Sequence, residues 1–326
     1  MKTLYPLKFK PIFLDKIWGG DRIKTVLDLD FAPLPNCGEV WALSGVKANQ
    51  SVVVNGFLAG NELNELVEIF MDDLVGEEVY HKYGNEFPIL IKFIDANDYL
   101  SIQVHPDDEL ANRRHEGSGK TEMWYIIKAE KDAELISGFN KKMDQEKYLE
   151  HLKRKSLKEI LNIEKVEAGD VFYIPSGRVH ALGPGILLTE IQQTSDVTYR
   201  IYDWDRVDDK GRSRELHTAM ALDAIDFDLY KDYRTNYDKK TNQTVPLVES
   251  PYFNTNLLDF NKPLAKDYSE LDSFVIYVCP DGDVDIKYPG GIVGLKTGES
   301  LLIPAELTEV QLFPKKRSKI LEVYIT

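Results

Sequence analysis

A chain of 326 residues with 43% hydrophobic and 29% charged side chains is long enough for two packed units and ordinary for a globular protein. Its formal net charge of -14 leaves no basic stripe for a nucleic-acid backbone, which excludes that partner class, although a few local cations can still serve a small anion. Two cysteines, Cys37 and Cys279, give neither a disulfide framework nor a zinc–thiolate pattern, and no apolar run has membrane-spanning length.

Residues 1–10 lack the apolar core of a signal peptide, so a cytoplasmic location without a membrane partner is expected. Asn242-Gln243-Thr244 then matches a glycosylation acceptor only formally. The first clear element is a helix: Leu63, Leu66, Val67, Phe70, Met71 and Leu74 recur at i, i+3, i+4, i+7. Short strands follow at 89–94, 100–105 and 123–128. A Lys-, Glu- and Leu-rich stretch at 144–162 predicts a second helix, and strands resume at 171–174, 186–192 and 197–203. Both helices are expected to pack at a barrel rim. The polar stretch 232–244 is the expected boundary between a catalytic domain, 1–235, and a C-terminal domain, 236–326. The latter reads as strands at 274–279, 284–287, 300–303, 309–313 and 319–325. Many short strands separated by turn residues indicate a mainly β chain, built as sandwich or barrel. Gly169-x5-Pro175 and Gly298-x5-Pro304 hint at two copies of one module.

The chemistry gathers in the first two-thirds of the chain. In Leu100-Ser-Ile-Gln-Val-His105 every second residue is polar, so a strand sets Ser101, Gln103 and His105 on one face. On an ordinary sheet that face is wet; inside a barrel it lines a pocket. Glu122 opens the next apolar strand, and His180 follows the turn Pro175-Ser-Gly-Arg-Val. Gln103, His105, Glu122 and His180 together offer two imidazoles, a carboxylate and an amide oxygen. That set suits Zn²⁺, with Mn²⁺, Fe²⁺ and Co²⁺ as alternatives. His81, His115, His151 and His217 read as ordinary packed or surface residues. His115-Glu-Gly-Ser-Gly-Lys120-Thr121 imitates the end of a nucleotide-binding loop, but Arg114 replaces the required glycine and no strand–loop–helix context surrounds it.

Gly169-x5-Pro175-x-Gly177-x2-His180 matches the second cupin motif as far as its histidine; Pro184 stands where an asparagine often follows. Gln103-x-His105 followed by Glu122 resembles the first cupin motif with glutamine for its first histidine. Trp18-Gly-Gly20, Gly38-Glu-Val-Trp41, Ser101 to Pro106, Lys120-x-Glu122 and Glu190-x9-Arg200 together resemble the type I phosphomannose isomerases in their short bacterial form. The resemblance covers roughly the N-terminal two-thirds of the chain. It implies two tandem cupin (jelly-roll) barrels and one Zn²⁺ per chain held by Gln103, His105, Glu122 and His180. It also implies aldose–ketose isomerisation of mannose 6-phosphate and fructose 6-phosphate through a cis-enediol. Arg200 takes the family's catalytic position, with Lys120 and Glu190 as candidates for the base. Ser101 and Lys92 are placed near the phosphate of the sugar. Counting past Pro304 as His180 lies past Pro175 lands on Glu309, and no Gln-x-His precedes it in 240–300. The C-terminal barrel is therefore expected to be metal-free. Another metal-dependent cupin enzyme and a non-enzymatic sugar-phosphate binder remain as alternatives.

Overall fold

Successive side chains leave a strand on opposite faces, and this alternation decides how the layers stack. In Ile89–Ala96, Ile91 and Phe93 enter one apolar cluster, whereas Ile94 and Ala96 enter another. The strand is buried on both faces and carries a near-continuous apolar run. The computed structural model describes residues 3–207 and 210–326.

Four antiparallel sheets make two barrels. The first joins a seven-stranded sheet in the order Arg234–Thr235, Val171–Ile174, Glu122–Ala129, Ile186–Gln193, Ile89–Ala96, Glu39–Leu43, Ile12–Leu14 to a five-stranded one. The latter runs Tyr199–Tyr202, Ile102–Val104, His180–Leu182, Glu134–Phe139, Leu161–Lys165. Trp124, Ile126, Phe172 and Leu188 from the larger sheet meet Leu135 and Leu182 from the smaller inside this barrel. The second barrel packs a six-stranded sheet against a four-stranded one around Phe260, Tyr277, Leu301, Val284 and Leu312. Its six-stranded sheet begins with Leu7–Lys8, whose Leu7 pairs with Leu302, so the N-terminal segment stitches the first barrel to the second.

The two large sheets pack back to back. Ile91, Phe93, Met123 and Ile191 from one meet Ile276, Val278, Leu302, Leu321 and Val323 from the other in a single cluster, which also takes Leu63, Leu66 and Leu74 of the helix Leu63–Val75. Leu321 is fully buried there. Leu321→Ala is therefore expected to cost about 2–5 kcal/mol, measured by urea unfolding. A cost below about 0.5 kcal/mol, the range of a surface substitution, would show that the seam contributes little to stability.

The tandem cupin architecture expected from sequence is the one observed. Each of its two Gly-to-Pro segments begins on a left-handed glycine, Gly169 at φ 92° and Gly298 at φ 81°. These turns lead into the strands Val171–Ile174 and Ser300–Ile303. Two expected elements differ. Within the helix Leu63–Val75, Met71 leaves helical geometry at φ 46° and is exposed rather than packed. The helix anticipated over 144–162 runs only Gln145–Lys153, capped by Asp144 accepting from the Lys147 amide at 2.9 Å. Lys155 then turns left-handed at φ 55°, and Leu161–Lys165 becomes an edge strand on Glu134–Phe139. Sheet pairing wins there over a composition that favours helix. Among the described residues no helix is long and apolar enough to cross a membrane.

Candidate metal centre and catalytic cavity

Alternation also decides which side chains enter the first barrel. Ile102 and Val104 belong to the cluster outside the five-stranded sheet, so Ser101, Gln103 and His105 point inward. His180 and Arg200 both lie opposite Gln103 on its two neighbouring strands. From the facing sheet, Glu122 and Trp124 alternate inward, and Glu190 pairs in register with both Lys92 and Trp124.

His105, Glu122 and His180 converge, with one donor atom from each lying within 4.8 Å of the others. All three are buried, at 1%, 0% and 1% exposure. The His105 Nδ1 faces the Val197 carbonyl at 2.9 Å and the His180 Nδ1 faces the Arg178 carbonyl at 2.8 Å. These carbonyls accept the Nδ1 protons, which leaves each Nε2 lone pair aimed at the cluster. Gln103 Nε2 lies 3.2 Å from His180 Nε2; a half-turn of the amide presents its oxygen to the same point.

Burial pushes the His105 imidazole down to about 3, and the Lys120 charge acts in the same direction. Burial also lowers His180, against the pull of Glu122. Burial by itself raises the Glu122 carboxyl, yet Lys120 and the imidazoles together hold it well below the usual carboxylate range. Neutral imidazoles beside an ionised carboxylate are the protonation states that metal ligation requires. The contacts of 3.4 and 3.5 Å between the histidines and Glu122 are thus donor atoms gathered together rather than ion pairs.

Two further observations show that this donor set fits a cation. Glu122 Oε1 is buried without a hydrogen-bond partner, an expensive arrangement unless a positive ligand completes it. The Lys120 ammonium sits in short contact with Glu122 Oε2 and 3.1 Å from His105 Nε2, so the cluster already draws positive charge to itself. Among the described residues it is the only group of three or more His, Cys, Asp or Glu donors placed to hold a metal.

The cluster borders a cavity of about 460 Å³. Ser101, Gln103, Lys92, Lys120, Glu190 and Arg200 line it. Glu190 is fully engaged: Oε1 accepts from Lys92 at 3.1 Å and lies 3.9 Å from Lys120, and Oε2 accepts from Trp124 Nε1 at 2.9 Å. Lys92 lies 5.3 Å from the centre of the Trp41 ring. Ser101 donates to Gln103 Oε1 at 3.3 Å. Lys16, Asn49 and Arg214 also line the cavity, although no sequence signal marked them. Lys16 and Arg214 lie outside regular strands and Asn49 in a turn, where no alternation shows which way a side chain points. Trp18, Glu39 and Trp41 line it too, but the motifs that contain them suggested no role.

The nucleotide-loop imitation is resolved by chain order. The helix Asp108–His115 precedes the glycine-rich segment, the reverse of a phosphate-binding loop. In the second barrel the buried carboxylate is satisfied from within. Glu322 accepts from Tyr268 at 2.5 Å and Asn256 at 2.9 Å and pairs with Lys266 at 2.8 Å. Glu309, at the position corresponding to His180, is exposed.

Comparison with known proteins identifies the family. The family described as phosphomannose isomerase type I, catalytic domain, matches residues 7–131. The mannose-6-phosphate isomerase ManA of Bacillus subtilis (strain 168) is 37% identical over 320 residues, covering 95% of this chain and 96% of that protein. A mannose-6-phosphate isomerase of Streptococcus mutans is 40% identical over 255 residues, covering 75% and 77%. A crystal structure of the mannose 6-phosphate isomerase from Bacillus subtilis superposes with a TM-score of 0.88 at 32% identity, covering 98% of this chain and 99% of that one. With that breadth of agreement, the chain belongs to the type I mannose-6-phosphate isomerase family.

Proposed function

We propose that the protein interconverts mannose 6-phosphate and fructose 6-phosphate through a cis-enediol, using one Zn²⁺ per chain. The observation that carries this reading is the convergence of His105, Glu122 and His180 beside a cavity that also presents Lys120, Glu190 and Arg200. A zinc ion held by Gln103, His105, Glu122 and His180 supplies Lewis acidity toward the sugar oxygens.

The chain's own residues do the rest. Moving hydrogen between C1 and C2 needs a group that removes a proton from one carbon and returns it to the other. We assign that transfer to Glu190 and Lys120, which lie 3.9 Å apart. Lys92, held on Glu190, keeps that carboxylate in place, and it joins Ser101 in binding the substrate. Arg200 stays positively charged at neutral pH and cannot serve as a base. Its guanidinium stabilises negative charge as it develops on the enediolate oxygen. Residues 1–235 form the catalytic domain in this reading, and 236–326 a metal-free structural barrel.

An NMR assay of the purified protein with mannose 6-phosphate tests the reading. Fructose 6-phosphate should form, cease forming after chelation, and form again on return of zinc. Turnover unaffected by complete metal removal would exclude the metal-dependent route. Absence of turnover with metal bound would exclude the isomerase assignment itself.

A further inference from the structure

The apolar seam between the two barrels ends in charge. Leu257 and Leu321 lie opposite one another on neighbouring strands of the second barrel and belong to the seam cluster. Two residues further along, on the same face, stand Asp259 and Lys319. Asp281 flanks Lys319 on its other side. Both carboxylates are already engaged. Asp259 accepts two parallel hydrogen bonds from Arg317, at 2.8 and 2.9 Å, and Asp281 pairs with Lys316 at 2.9 Å. Lys319 is half-buried, yet its ammonium makes no ion pair among the described residues.

A cavity of about 220 Å³ opens at this point. The first barrel contributes Tyr125 and Gly169 to its wall, the second Arg317 and Lys319, and the segment between them Tyr237 and Lys239. That segment is tied to both barrels. The Tyr237 hydroxyl donates to the Gly169 carbonyl at 2.6 Å, and the Asn242 amide donates to the Asp259 carbonyl at 2.8 Å. With Lys240, four cations line the cavity against one carboxylate, Asp259, in a chain whose net charge is -14. Asp259 neutralises Arg317, and Asp238 neutralises Lys240 at 2.8 Å. The uncompensated charges are those of Lys239 and Lys319.

Tyr125 points to the same chemistry independently. Its side chain lines the cavity, is 2% exposed, and has a hydroxyl with no hydrogen-bond partner among the described residues. Burial pushes that hydroxyl up, as do the neighbouring Tyr237 and Asp259, so it stays protonated. A protonated hydroxyl without an acceptor costs stability in a buried wall unless a ligand completes it.

This cavity is separate from the catalytic one. Trp124 points into the first barrel, whereas Tyr125, next along the strand, belongs to the seam. The two cavities therefore lie on opposite faces of the seven-stranded sheet and share no lining residue. Organic ligands usually occupy about 300–1,000 Å³, so the smaller space at the seam suits a compact ion.

We infer that the cavity at the end of the seam binds a compact inorganic anion of the phosphate class, which joins Tyr125 of the first barrel to Lys239 and to Lys319 of the second. A tetrahedral oxyanion presents several acceptor oxygens, so two ammoniums and a hydroxyl approaching from different directions are satisfied together. Because the ion touches both barrels, its binding stabilises the folded pair by mass action. The inference stands apart from the isomerase reading.

Inorganic phosphate is the probe, with chloride at matched ionic strength as the control for screening. Phosphate should raise the melting temperature of the unaltered protein above its value in chloride. The dissociation constant from calorimetric titration should weaken by about 10- to 100-fold in Lys319→Gln, the loss of one charge-assisted contact. Lys239→Gln should weaken it similarly, and Tyr125→Phe by up to about tenfold. Phosphate held in the catalytic cavity would persist in all three variants as a separate, unaltered binding event. Their kcat and KM for mannose 6-phosphate should stay within about twofold. In chloride, Lys319→Gln should melt no lower than the unaltered protein, since no ion pair is lost.

Phosphate titrations of Lys319→Gln and Lys239→Gln that match the unaltered protein would overturn the inference and place all binding elsewhere. Equal melting temperatures in phosphate and chloride would overturn it as well. A lower melting temperature of Lys319→Gln in chloride would make that lysine structural and leave the decision to Lys239→Gln, which alters an exposed side chain; normal phosphate affinity in that variant would again overturn the site. None of the binding measurements needs turnover, so their outcome is independent of the isomerase reading.

Discussion

Arg200→Ala is expected to lower kcat by about two to three orders of magnitude, the cost of deleting one donor to a developing oxyanion, with bound metal unchanged. The expectation rests on where the side chain is held. Its strand pairs Arg200 with Gln103, and a hydrogen bond to the Glu215 carbonyl fixes one end of the guanidinium. The buried, unpartnered Nε marks a donor kept dry for something other than the resting protein. Among the described residues the Arg200 side chain makes no hydrogen bond or ion pair with His105, Glu122 or His180, so its removal should spare them. Metal content by elemental analysis, read beside kcat and the melting temperature, distinguishes the roles. Parallel loss of metal and activity would make Arg200 a structural residue, and loss of KM alone would make it a binding one.

His180→Ala should show the opposite order of events, losing metal first and activity as a consequence. Even residues that only support a ligand typically cost 10- to 100-fold in metal affinity, so removing a ligand should cost at least about 100-fold. His180 packs against His105 at 4.8 Å between ring centres and meets Trp124 edge-on at 5.4 Å. The substitution therefore also opens space in the barrel interior, and some loss of melting temperature is expected. Titration with zinc against a competing chelator measures the affinity directly. A variant that holds zinc as tightly as the unaltered protein would remove His180 from the ligand set and shift attention to Gln103.

The two barrels differ in how they hold a buried carboxylate. Both bury a carboxylate. Glu322 is satisfied by a tyrosine, an asparagine and a lysine, all neighbours in its own barrel. Glu122 instead leaves one oxygen unpartnered and leans on Lys120. A buried carboxylate with closed hydrogen bonding stabilises a core, whereas one left open is held ready for a ligand.

Several features were legible in the chain alone because they depend on neighbours in sequence. The polar face of Ser101, Gln103 and His105 follows from strand periodicity, and the left-handed turns at Gly169 and Gly298 from the residue type that tolerates them. The cupin spacing that ends at His180 is likewise local. Tertiary structure alone decided the rest. Whether the polar face of 101–105 was wet or enclosed depended on a second sheet closing over it. Glu122 reaches the histidines from that facing sheet, across a gap that no spacing along the chain encodes. The helix stops at Lys153 before a left-handed Lys155, and strand pairing of 161–165 with 134–139, a nonlocal contact, takes the residues at the end of the expected helix. Pairing of Leu7–Lys8 with the second barrel joined segments at opposite ends of the chain. Arg214 was the least visible of all, because it reaches the cavity through an ion pair to Asp203 rather than through any periodic element. Periodicity fixes which face a side chain takes on its own strand; what that face meets is settled only when distant segments pack.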